Sequence, residues 1–92
     1  MKTNRIIYFL STGSSSGVVK AKLKSILNRR KELNQFIYEF PIDSVPEMKR
    51  KFGVVNGPAA LLVEGDILID KRVGHQELSL SAWEDLINQL EA

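Results

Sequence analysis

Phe52-Gly53-Val54-Val55-Asn56-Gly57-Pro58-Ala59-Ala60-Leu61-Leu62-Val63-Glu64-Gly65-Asp66 decides how the rest of this chain is read. An aromatic residue, a glycine and two aliphatics lead through a short loop to Pro58. Residues 59–63 are then an unbroken apolar run of strand length. Glu64-Gly65-Asp66 is a tight turn, because glycine supplies the positive φ that such a turn needs. Residues 67–72 return as the second strand of an antiparallel hairpin.

Outward from this hairpin the pattern becomes helical on both sides. Residues 44–51 read as a short helix with Pro46 near its first turn and with Met48 and Phe52 facing inward. Ser81-Ala82-Trp83-Glu84 has capping-box spacing and is expected to open a last helix that buries Trp83, Leu86, Ile87 and Leu90. Upstream, residues 36–40 form a strand that Pro41 ends, since proline cannot donate to a ladder. Residues 5–10 form another, rich in β-branched and aromatic side chains. Between them Thr12-Gly13-Ser14-Ser15-Ser16-Gly17 is a loop. A helix follows from Ser16 or Gly17 to about Lys31, with Val19, Leu23, Ile26 and Leu27 on one stripe.

The resulting order is β-α-β-α-β-β-α. A helical crossover makes the first two strands parallel and right-handed. The fold class is therefore α/β, a four-stranded mixed sheet with helices on both faces. Residues 1–92 are enough for one domain and too few for two.

The chain has no cysteine. That excludes disulfides, thiol catalysis, Cys-ligated zinc and iron–sulfur clusters. Ile6-Ile7-Tyr8-Phe9-Leu10 is too short for a signal-peptide core or a membrane span, so a cytoplasmic location is expected. Charge is unevenly spread. Residues 1–31 hold Lys2, Arg5, Lys20, Lys22, Lys24, Arg29, Arg30 and Lys31 and no acid, while all 11 acids lie beyond them. Such asymmetry can steer an anionic partner. The expected patch is Lys20, Lys22, Lys24, Arg29, Arg30 and Lys31. It lacks the interleaved aromatics that single-stranded nucleic acid requires.

The 52–66 stretch, together with the element order, resembles the cis-proline segment of thioredoxin-like and glutaredoxin-like proteins. The likeness covers nearly the whole chain, and it runs without a gap from Phe52 to Gly74. It implies the thioredoxin-like fold and a cis bond before Pro58. The same register puts the family's Cys-x-x-Cys on Ser14-Ser15-Ser16-Gly17, its buried acid on Tyr8 and its active-site tryptophan on Gly13. Every redox element is thus replaced. A thiolate is what attacks a disulfide, so thiol–disulfide exchange is closed to this chain. An engineered Cys-to-Ser change at Ser14 is an alternative origin, although Gly17 would still lack the second thiol.

In the family, the main chain beside the proline pairs with an extended peptide or with glutathione. The resemblance therefore implies a redox-inactive module that binds a protein or peptide through Ser14, Ser15, Ser16, Gly17, Val55, Asn56, Gly57 and Pro58. Gly57 is expected to leave that surface flat and open. A second reading comes from glutathione transferases, some of which use a serine after the first strand to hydrogen-bond the glutathione thiolate; Ser14 falls there. No catalytic residue, metal or cofactor is expected. His75, the single histidine, has no matched partner, and the acids around the hairpin lack calcium-loop spacing.

Overall fold

The computed structural model describes residues 4–90, apart from the side chains of Ser14 and Ser15. Its strands are β1 (Arg5–Ser11), β2 (Ile37–Pro41), β3 (Ala59–Glu64) and β4 (Ile67–Val73). Its helices are α1 (Gly17–Leu27), α2 (Pro46–Phe52) and α3 (Leu80–Leu90). The four strands make one sheet in the order β2-β1-β3-β4. β1 is parallel to β2 and antiparallel to β3, and β3 is antiparallel to β4. This is the mixed α/β sheet expected from the sequence.

Alternation along the strands divides the core into two. Ile7 and Phe9 of β1, with Ala60 and Leu62 of β3, face α1 and α3. The stripes Val19-Leu23-Ile26-Leu27 and Trp83-Leu86-Ile87-Leu90 close over them. Leu10, Ala59, Leu61 and Val63 point to the opposite face, where Met48 and Phe52 of α2 pack partly buried. The Phe9 and Trp83 rings meet edge to face at 5.4 Å. Trp83 is fully buried.

Several boundaries differ from the sequence reading, each for a local reason. α1 stops at Leu27 and does not reach Lys31. The next stripe positions are Arg30 and Lys31, which offer the core nothing, so tighter turns follow and a 3₁₀ segment spans Lys31–Phe36. That segment turns Leu33 into the core. Pro41 lies inside β2 as its last residue rather than beyond it, where a missing N–H is tolerated. A 3₁₀ turn at Ile42–Ser44 precedes α2, which therefore starts at Pro46. α3 starts at Leu80, and its cap is Ser79 rather than Ser81: the Ala82 N–H donates to Ser79 Oγ at 3.2 Å. Ser81 is the second residue of the helix.

Residues Leu62 and Val63 of β3 mark a register shift, since Leu62 pairs with Asp70 while Val63 pairs with Leu68. Ile69 is the extra residue, a β-bulge. It turns Leu68 toward the α2 face, while Asp70 and Arg72 keep to the α3 face. There Arg72 Nη2 reaches Asp70 Oδ2 at 3.2 Å and Asp85 Oδ2 of α3 at 2.8 Å. No helix of the described residues is long and apolar enough to cross a membrane.

Candidate binding face

The end of β1 and the entry to β3 build one face. After Ser11 the chain makes a 3₁₀ turn at Gly13–Ser16 and enters α1. Ser16 stands at the helix cap position, yet its hydroxyl makes no capping bond. It turns back instead. The Thr12 N–H donates to Ser16 Oγ at 2.7 Å, and the two hydroxyls share a bond of 2.9 Å. Ser16 is consequently buried, whereas Gly17 and Val18 at the helix start are open, Val18 by 66%.

The second arm begins where α2 ends. Gly53 takes the left-handed conformation at φ +69°, the usual way to close a helix. The Lys71 ammonium bridges the Phe52 and Gly53 carbonyls, both at 3.3 Å, and so holds the helix's negative end. The Val54 N–H donates to the Lys49 carbonyl at 2.8 Å, and Val54 is buried. Val55 and Asn56 then emerge, with Val55 78% exposed. The Gly57–Pro58 peptide bond is cis. Pro58 is buried, and its carbonyl accepts from the Gly74 N–H at 2.7 Å.

Gly57 joins the arms. A Cβ built there would lie 2.8 Å from Thr12 Cγ2, 2.9 Å from Ile42 Cδ1 and 3.4 Å from the Leu10 carbonyl oxygen. The glycine does not leave this spot flat and open, as the sequence suggested. It is half-buried, and its absent side chain is the space that the end of β1 occupies.

The expected site residues therefore separate into a base and a rim. Ser16 and Pro58 are packed beneath the face. Gly17, Val55 and Asn56 are exposed on it. Ser14 and Ser15 lie in the 3₁₀ turn, and their side chains fall outside the described atoms, as does the small-thiol contact assigned to Ser14. Among the described residues, Val55, Asn56 and Gly57 make no hydrogen bond to the rest of the protein. Three successive residues thus keep their main-chain donors and acceptors open. A groove of about 420 Å³ borders Val55, with Lys49 and Arg50 on its other side. Val18 escaped the sequence reading. Its signal was present, since it is an apolar residue one position off the buried stripe.

The expected basic residues line different depressions. Lys20, Lys24 and Lys31 line a groove between α1 and β2. Arg29 and Arg30 lie toward α3, where Arg30 Nη1 donates to Asn88 Oδ1 at 2.9 Å. Lys22 is half-buried and lines neither depression.

No protein-family description and no curated protein sequence matches the chain. Solved structures do. The oxidised thioredoxin from Plasmodium falciparum superposes with a TM-score of 0.66 over 98% of this chain and 84% of that one, at 15% identity. The chain has a thioredoxin-like fold. At that identity the likeness speaks for the fold alone. The 3₁₀ turn Gly13–Ser16 leads into α1 at Gly17, and the chain has no cysteine. What the face offers is its shape, its unpaired main chain and the exposed Val55.

Proposed function

We propose that this chain is a redox-inactive binding module that takes an extended segment of a protein partner across the Val18 and Val55–Gly57 face. The observation that carries this reading is the unpaired main chain at 55–57, which sits on a rigid base and carries the exposed Val55 side chain, with Val18 a second exposed apolar residue at the start of α1. Extended peptides bind such edges through main-chain hydrogen bonds, which give affinity, and through side-chain contacts, which give specificity. Covering a valine fully is worth about 1.5–3 kcal/mol, so Val18 and Val55 together can supply much of a micromolar affinity of about −8 kcal/mol. Preorganisation helps as well. The base is pinned by the Thr12–Ser16 bonds, the Lys71 clamp and the Gly74–Pro58 bond, so little ordering remains to be done on association. With no thiol, the module would hold its partner without reducing it.

The test is selection of binders from a random peptide library, followed by titration of a selected peptide into labelled protein. Amide shifts centred on Val55, Asn56 and Gly57 are expected. Val18→Asp and Val55→Asp should each weaken binding by about tenfold or more, since each places a charge in a contact that excludes water, with the melting temperature unchanged. Peptides that shift other amides, or that bind both variants as tightly as the parent, would remove this reading.

A further inference from the structure

The groove between α1 and β2 has a volume of about 410 Å³, within the range of sites that take small ligands. Its floor is apolar. Leu23 and Leu27 stand one helical turn apart on α1, and Ile37 rises from β2. Its rim is cationic, with Lys20, Lys24 and Lys31 against one acid, Glu39. Glu39 is already engaged, because Lys20 Nζ lies 2.9 Å from its Oε1, and this pair ties α1 to β2. Among the described residues neither Lys24 nor Lys31 has a carboxylate partner. Asn28 and Asn34 add amide groups beside them.

The strand bordering the groove is the sheet's edge. Among the described residues β2 has β1 on one side and no strand on the other. Ile37 and Glu39 are two residues apart, so both point to the face that the groove occupies. We propose that this groove is a second binding site, distinct from the Val55 face, for an acidic peptide segment whose apolar side chains alternate with carboxylates. Laid beside β2, such a segment would send apolar side chains to Leu23, Leu27 and Ile37 and bring carboxylates to Lys24 and Lys31. The charge complementarity selects an acidic partner. The apolar floor and the strand edge select a peptide over a phosphate backbone, which has nothing to place on either. None of the Ser14–Gly17 or Val55–Pro58 positions lines this groove, so the two sites fail or stand independently.

The probe is a short, end-capped peptide alternating glutamate and leucine, with lysine in place of glutamate as the opposite-charge control. It is titrated into labelled protein at low salt. Shifts are expected at Leu23 to Asn28, Asn34 and Ile37 to Glu39. Binding should weaken as salt rises. The Lys24→Glu, Lys31→Glu double variant should bind about tenfold more weakly or worse, as two rim attractions become repulsions. Glu39→Gln, which removes the rim's acid, should bind more tightly. Val18→Asp and Val55→Asp should change nothing. Absence of shifts at millimolar peptide, shifts centred on Val55–Gly57, equal binding of the lysine peptide, or an unaffected double variant would each overturn the proposal.

Discussion

The methyl group of Thr12 stands where a side chain on Gly57 would begin, 2.8 Å from the position of its Cβ. Real Cβ atoms do not come that close, so position 57 is glycine for space. Gly57→Ala should force apart the two arms of the binding face. Thr12 cannot rotate freely, because its hydroxyl is held against Ser16, and Ile42 Cδ1 crowds the same spot at 2.9 Å. Overpacking of this kind costs about 1–3 kcal/mol. Thr12→Ser removes the obstructing methyl and keeps the hydroxyl, so in a double-mutant cycle it should restore part of the loss. Urea unfolding of the four proteins measures this; strict additivity would show that the two residues do not press on one another.

Leu33 tests where the chain goes after α1. It is buried under the sheet face shared by α1 and α3, at the centre of the Lys31–Phe36 turn. Leu33→Ala should lose about 2–5 kcal/mol, as buried leucines do, whereas Leu80→Ala, at a half-exposed position, should stay within about 0.5 kcal/mol. The same truncation loosens the segment that carries Lys31 and Asn34. Acidic-peptide binding should therefore weaken at urea concentrations where the fold is still intact.

Acid should reveal the Asp70 carboxylate. Partial burial pushes its pKa up, but hydrogen bonds from Arg72, Gln89 and the Lys71 N–H, with the Arg72 charge, outweigh this and hold it below the ordinary value. The partner responds in the matching sense: the bond to Asp70, reduced by desolvation and helped by Asp85, raises Arg72 above its already high range. A carboxyl lowered by folding stabilises the native state above its unfolded pKa of about 3.9, and the gain is lost as pH falls through the folded value. Asp70→Asn should be less stable than the parent at neutral pH, and the gap should shrink between about pH 5 and pH 2. Stability curves that stay parallel throughout that range would assign the acid sensitivity elsewhere.

The sheet was legible because its signals are local and redundant. Residues 59–63 are too apolar and too short to be anything but a buried strand, and Gly65 punctuates the hairpin; Gly65 indeed takes φ +62°. Less visible was where helices stop. The lysines and arginines after Leu27 are good helix formers, but Arg30 and Lys31 fall on the stripe positions and Leu33 is buried from the turn beyond them. Two serines in the Ser79-Leu80-Ser81 stretch compete for one cap, and the sequence favours the wrong one because Glu84 completes a box with Ser81. For the binding face, exposure of Val55 and Asn56 follows from the loop before Pro58. The fit of Gly57 against Thr12 and Ile42 does not, since it joins residues 45 and 15 positions apart. The basic residues were partly legible: helical spacing already sends Lys20 and Lys24 to one side of the apolar stripe and Lys22 and Arg29 to the other, and the structure sets the first two along one groove with Lys31.

The β-bulge at Ile69 also bears on self-association. It kinks β4 away from a regular ladder, and Asp70, Lys71 and Arg72 stud the same strand; both are features that discourage edge-to-edge pairing. The opposite edge, β2, is guarded by other means: it is five residues long, carries Glu39 and ends on Pro41, and short length, charge and proline likewise discourage pairing between copies. Both rims of the sheet thus work against the strand-by-strand addition of further copies that builds a fibre.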